Sequence, residues 1–499
     1  MKLKMSIGEQ IKEDQAVALD LLDMLTYTSS IATANISRDK IFELASQQDG
    51  ITAKHMKKIY LLVKNYGYEY TKACKVVANE AHHPALKSFL MRLSSALATG
   101  EDESKFLRGE ADRMVEVYTN KYESDVDSLQ KWTDAYSAIL VSVTLVIAVF
   151  LISTMLYSMG DLYSTSILSG ILLCFIAFIG VYALYRAAPY EVIVHSLTVK
   201  SKEQEMAKRL SIFILPAGCI TSFILLIAGV EPWIIFLTIS IFFAPIGIIG
   251  MRDGKKIEKA DEDISSFLKS LGTTAGTTQS TLTTALERMD RKSVASLEEH
   301  VNRLHKRLQN GVNPTICWYN FVGETGSELI NKSTRVFIDA ITLGGDPTKI
   351  GEIVSKSSLG IALLRIKRKF VSAGFMNLTI PLHGAMSGVL MFIYGIMFSF
   401  SNAVGVMMAK HSTEVEGAAS TGMTAGMAIN IGGSTDLAFI AYFVTFIIFV
   451  LTIASAFASK CAAGGSNYTL CYYLSVMFFV SAVVTLVVPI MADKIFTLE

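Results

Sequence analysis

Charge is scarce in this chain. Only 18% of its 499 residues are Asp, Glu, Lys or Arg, where soluble domains carry about a quarter. With 51% hydrophobic residues and a mean hydropathy of +0.43, that shortage excludes an ordinary soluble protein and a disordered one. Cysteine is scarce too. Six scattered cysteines make no disulfide framework. No Cys-x-x-Cys or His-Glu-x-x-His occurs, so neither a metal nor a cofactor is expected. A phosphate loop is also missing. The nearest string, Gly250-Met-Arg-Asp-Gly254-Lys255-Lys256, has the wrong spacing and no hydroxyl for magnesium. The chain is therefore expected to hydrolyse no ATP, to contain no catalytic residue and not to be an enzyme. The 45 basic and 44 acidic residues leave a net charge of +1, which argues against a nucleic-acid partner.

What the chain has is long apolar runs. A membrane-crossing helix needs about 20 mostly apolar residues. Seven runs qualify: Ala135–Ser158, Ser164–Tyr185, Leu210–Gly229, Pro232–Gly250, Asn377–Phe400, Leu437–Phe457 and Thr469–Met491. Their interiors are essentially free of Asp, Glu, Lys and Arg. Threaded with the N-terminus in the cytoplasm, they leave only Lys410 and Lys494 of the 45 basic residues outside. The positive-inside rule thus predicts a multi-pass cell-membrane protein with a cytoplasmic N-terminus and an exterior C-terminus.

Between the runs lie two polar blocks, and both show helical rather than alternating spacing. The expected plan is a helical domain over 1–134, then four spans over 135–250 with a cytoplasmic link at 186–209. A second helical domain over 251–373 follows, then three spans over 374–499 with an exterior segment at 401–436. Ser37 reads as a helix N-cap. His83-Pro84 and Gly100 read as stops. The second block repeats this plan: Gly272 and Gly276 punctuate its first helix, Thr277–Thr281 caps the next, Asn310-Gly311 ends another, and Gly344-Gly345-Asp346-Pro347 is a sharp stop. Phe106–Trp132 and Ile350–Phe370 each read as a helix running into a span. The fold class is all-α, a polytopic membrane protein with about seven transmembrane helices and two duplicated cytoplasmic helical bundles.

The charges divide unevenly. Residues 1–134 hold about 18 basic and 20 acidic side chains, and 251–373 about 19 and 14, so the second block is basic. Lys255, Lys256 and Lys259 leave the fourth span. Arg365, Lys367, Arg368 and Lys369 precede the fifth. Both sets sit where lipid headgroups and topology explain basic residues. Arg303, Lys306 and Arg307 share one helical face far from any span, as a solvated face or as a docking surface for an acidic partner. Glu324, Glu328 and Arg335 read as internal helix pairs. Inside the fifth span, His383 is ionisable and so a functional candidate, or else it bonds a neighbouring helix. Gly384-x-x-x-Gly388 suggests close helix packing. A transporter would need more polar groups at midplane than these spans offer.

Certain strings resemble a known family. These are Asp261-Glu-Asp-Ile-Ser-Ser-Phe-Leu-Lys-Ser-Leu-Gly272, Trp318-Tyr-Asn-Phe-Val-Gly-Glu-Thr-Gly-Ser-Glu-Leu-Ile330, Phe337-Ile-Asp-Ala-Ile-Thr-Leu-Gly-Gly-Asp-Pro347 and Pro381-Leu-His-Gly-Ala-Met386. Weaker first copies are Asp20-Leu-Leu-Asp-Met-Leu-Thr-Tyr27 and Ile36-Ser-Arg-Asp-Lys-Ile-Phe42. Together they resemble the duplicated F domain of type II secretion and type IV filament platforms, most closely the archaeal FlaJ-like branch. The resemblance implies a platform for filament assembly and motility that does no chemistry itself. It implies a hexameric secretion ATPase docked on the cytoplasmic domains, pilin- or archaellin-like subunits, other motor components, membrane lipids and a homodimer. Arg303, Lys306 and Arg307, then Lys255, Lys256 and Arg291, are the expected ATPase contacts. The archaellum is favoured. An adhesive pilus or secretion system is the alternative, and a multi-pass transporter is a more distant one.

Overall fold

The structure, a computed structural model, describes residues 7–156, 162–290, 294–414 and 434–496. Among them there is no strand, only helices and one isolated bridge between Val194 and Ser327. The chain opens with α1 (Ile7–Ala32), α2 (Arg38–Ser46), α3 (Ile51–Tyr66), α4 (Tyr70–Glu80), α5 (Pro84–Thr99) and α6 (Glu103–Leu156). Next come α7 (Leu162–Ala187) and α8 (Lys202–Ile227), then α9 (Pro232–Thr278), α10 (Leu282–Arg288), α11 (Glu298–Gln309), α12 (Pro314–Thr325), α13 (Glu328–Thr342) and α14 (Pro347–Glu414). The last two are α15 (Ser434–Ala463) and α16 (Thr469–Phe496).

Helices α6, α7, α8, α9, α14, α15 and α16 are long and apolar enough to cross a membrane. The longest exceed that need. At about 1.5 Å per residue, the 54 residues of α6 outrun a hydrocarbon core of about 30 Å, so its charged first half stands outside the apolar span. The chain divides into two compact units. One, polar, comprises Met1–Ser128, Ala188–Met206 and Arg252–Lys369. The other, apolar, comprises Leu129–Ala187, Ala207–Met251 and Phe370–Glu499. The boundary falls inside α6, α8, α9 and α14, each an unbroken helix.

The polar unit is an internal duplication with a six-helix motif. Helices α1 to α6 correspond in order to α9 to α14, and counterparts stand 244 positions apart. The detailed chemistry repeats as well. Among the described residues, Asn35 and Gln279 are the two non-glycine residues with positive φ, 49° and 48°. Ser37 and Thr281 are matching N-caps, accepting from Lys40 N and Thr284 N. Gly67 and Gly311, then Gly100 and Gly344, end matching helices in the left-handed region. Asp20 accepts from Thr52 N at 2.6 Å, and Asp263 accepts from Ser296 N at 2.9 Å, each tying the first helix of its copy to the start of the third.

The sixth helices of the two copies lie side by side, parallel and in register. Arg108–Glu352 (2.8 Å), Asp112–Lys356 (2.7 Å) and Glu123–Lys367 (3.1 Å) all pair residues 244 apart. Complementary signs on the two counterparts let them pair where identical ones would repel. Helix α1 also packs on the second copy. Lys332 bonds Asp23, and Thr26 Oγ1 bonds Ser357 Oγ at 3.1 Å. Burial raises the Asp23 carboxyl above the usual carboxylate range despite the pull of Lys332.

One expectation from sequence changes here. Gly272 and Gly276 do not interrupt their helix, because α9 runs on to Thr278. They are small because α14 crosses there. A Cβ on Gly272 would lie 2.3 Å from Pro347 O and 3.1 Å from Gly351 Cα. Of the segment 401–436, expected outside the membrane, the first part is helix, since α14 continues to Glu414, while 415–433 lie outside the described residues.

Candidate functional site

The polar unit holds a buried charge hub built on the segment between α7 and α8. Asp261 of α9, 2% exposed, faces Arg365 of α14 at 2.5 Å. Ser327 donates its hydroxyl to Asp261 and caps α13 by accepting from Ile330 N at 3.2 Å. Arg365 also donates to Val192 O at 3.0 Å, and Arg368 donates to Pro189 O at 3.0 Å. Glu191 lies 3.5 Å from Arg368 and accepts the Tyr122 hydroxyl of α6. Two carboxylates and two guanidinia thus share one largely buried site. Such ions are held there only because each is paired and hydrogen-bonded.

From the hub the segment runs extended over the second copy. Glu328 N donates to Ile193 O at 2.9 Å, and the His195 ring nitrogen Nε2 bonds Gly323 O at 3.1 Å. A side chain at Gly323 would meet Val199 Cβ at 2.6 Å, so glycine is needed for this approach. At the far end Ser201 and Gln204 donate to the two oxygens of Asp253, at 2.8 and 3.1 Å. Sequence reasoning took residues 186–209 as a bare link and missed all of this. The available signal was the β-branched run Val192-Ile193-Val194 beside a histidine.

The three basic clusters fare differently. Arg365, Lys367, Arg368 and Lys369, assigned from sequence to headgroups, all pair with carboxylates inside the polar unit, on Asp261, Glu123, Glu191 and Glu258. Lys256 pairs with Glu203, while Lys255 and Lys259 are exposed. On α11, Arg303 and Arg307 both close on Glu324 of α12, and Arg303 also holds Glu299. Beside them, burial and then Arg303 push the His300 ring below its usual range. Lys306 remains exposed. Arg335 turns to Asp49 at 3.6 Å, away from the expected pairing with Glu324 or Glu328. Arg291 lies outside the described residues.

In the apolar unit His383 is fully buried. Its Nε2 lies 2.8 Å from Ser481 Oγ and 3.3 Å from Thr452 Oγ1, and those two hydroxyls are 2.7 Å apart. It therefore joins α14, α15 and α16 through one polar knot. Gly384 packs on α16, where a Cβ would meet Val480 at 3.3 Å. Gly388 has open space around it. Among the described residues no group of His, Cys, Asp and Glu could hold a metal, and no disulfide joins any of the six cysteines.

Comparison with known proteins finds two relatives along nearly the whole chain. It is 22% identical over 486 residues to flagella accessory protein J of Methanocaldococcus jannaschii, covering 94% of this chain and 84% of that protein. It is 21% identical over 489 residues to flagella accessory protein J of Methanococcus voltae, with the same coverage. No family model matches, and no solved structure matches. Over 94% of its length the chain is thus FlaJ-like.

Proposed function

We propose that this chain is the cell-membrane platform of an archaellum. In this reading the polar unit is cytoplasmic and receives a hexameric secretion ATPase. The spans receive archaellin-like subunits, the C-terminus is exterior, and the working form is a homodimer with the other motor components around it. The observation that carries the reading is the similarity to two flagella accessory proteins over 94% of the chain. It is reinforced by a duplicated helical motif whose helices pass unbroken into the spans. Both relatives' names favour the archaellum over an adhesive pilus.

The mechanism follows from stiffness. A continuous α-helix transmits displacement along its axis because each turn is hydrogen-bonded to the next. Helices α6 and α14, locked in register by three ion pairs, form a double strut. A nucleotide-driven movement of a docked ATPase would then reach the spans, while ATP chemistry stays with the partner. Rotation of the filament would use the same path. Two experiments test this. The detergent-solubilised chain should bind its cognate secretion ATPase and hydrolyse no ATP alone. A Gly-Ser stretch inserted after Phe370 should abolish filaments while membrane insertion persists. Normal filaments from that variant reject the strut, and movement of a solute in liposomes without ATPase binding rejects the platform.

A further inference from the structure

The first copy carries a face that its charge balance conceals. Helix α3 presents Lys54, Lys57, Lys58, Leu61 and Lys64 outward, at i, i+3, i+4, i+7 and i+10. Helix α4 continues the face with exposed Lys72 and Lys75, joined to α3 by the Lys58–Glu80 pair. Glu69 is the only acidic residue between Lys54 and Lys75. At the corner between the helices stand Tyr66, 73% exposed, and Tyr68, with the Lys72 ammonium 5.4 Å from the Tyr68 ring centre. We infer that this face docks an acidic protein segment carrying an apolar side chain, on the partner proposed above, and to that extent it rests on that reading.

Two observations support the choice of occupant. Lys58 and Lys64 already hold the carboxylates of Glu80 and Asp39 at the rim, which shows how this face receives acidic side chains. The corner is rigid. Gly67 sits at φ +67°, its N–H bonds Val63 O at 3.2 Å, and Tyr68 N bonds Leu62 O at 3.1 Å. Tyrosines on a fixed corner lose little entropy on binding, the property that makes them interface anchors. The second copy keeps only part of this corner, with Asn310 at the position of Tyr66. After Gly311, at φ +73°, exposed Val312, Ile316 and Tyr319 stand at the positions of Tyr68, Lys72 and Lys75. Tyrosines and lysines together are thus particular to the first copy's corner.

The test measures binding of the purified cognate secretion ATPase to the full chain in nanodiscs of zwitterionic lipid. Tyr66→Ser/Tyr68→Ser should weaken binding at least tenfold. Lys57→Glu/Lys72→Glu should do the same and flatten its dependence on salt. All four side chains are exposed, and unchanged thermal unfolding of each variant confirms that the fold is intact. If the wild type binds and both variants bind equally well, the inference falls while the platform reading stands. If the wild type binds no ATPase, the platform reading falls and this inference with it. If the variants instead lose only flotation with phosphatidylglycerol vesicles, the face meets a membrane surface and the inference is overturned.

Discussion

Replacing Asp261 by Ala should unlatch the segment over the second copy. The variant leaves the Arg365 guanidinium, 13% exposed, without its carboxylate and with Val192 O as the acceptor that remains. It also takes from Ser327 the acceptor of its hydroxyl hydrogen. Removing one member of a buried ion pair costs about 3–5 kcal/mol. In a domain of 150–250 residues, each kcal/mol lowers the melting temperature by about 2–4 °C. The polar unit should therefore melt roughly 6–20 °C lower in Asp261→Ala. Asp261→Leu/Arg365→Met removes both charges and should recover most of that loss, because two apolar side chains of similar size carry no unpaired ion. Differential scanning fluorimetry in detergent gives the melting shifts. Hydrogen exchange at His195 and Leu197 reports the segment directly, since their amides bond Gly326 O and His195 Nδ1. Exchange there should accelerate in the single variant and return toward wild type in the double. A single variant that melts within about 2 °C of wild type, below the smallest shift expected from breaking a buried pair, refutes the latch. So does a double variant as unstable as the single one.

Other consequences can be measured in parallel. Gly272→Val should destabilise by about 2–3 kcal/mol or more through overpacking, because the new Cβ meets the backbone of Pro347 and Gly351. Gly384→Ala meets only a valine methyl at 3.3 Å and should be mild, so equal melting losses for the two would contradict the crossing. His383→Ala should cost about 1 kcal/mol, as interhelical hydrogen bonds in membranes do, because Ser481 and Thr452 keep their mutual bond. Lost filaments from a stably inserted His383→Ala would give that residue a role beyond packing. Arg303→Ala leaves Glu324 with Arg307 and should lower thermal stability more than Lys306→Ala, which removes an exposed side chain. Equal effects would show that the α11 arginines are no more structural than their neighbour.

The terminations of the helices were legible because they depend on nearest neighbours. Ser37, Thr281, Gly100 and Gly344 act within one turn of their own positions. Gly272 was misread for the same reason. Glycine in a helical stretch signals either a break or a close crossing, and only the arrival of Pro347 and Gly351 selects the second. The basic clusters show the limit most clearly. A run such as Arg365, Lys367, Arg368 and Lys369 looks the same in sequence whether it faces headgroups or carboxylates. Its partners here stand far away along the chain, 104 positions for Asp261 and 111 for Glu258.

By itself the sequence determined the seven spans, the helical class, the caps and the existence of a repeat. Each rests on composition or on interactions within a few residues, where hydropathy and helical period suffice. The tertiary structure alone decided that the two sixth helices lie in register and that the segment after α7 closes a charge hub. It alone decided that Arg303 and Arg307 of α11 close on Glu324, and that on α3 Lys58 and Lys64 pair with Glu80 and Asp39 while Lys54 and Lys57 stay exposed. A charge is available to a partner only if no neighbour in space has neutralised it, and neighbours in space are set by packing.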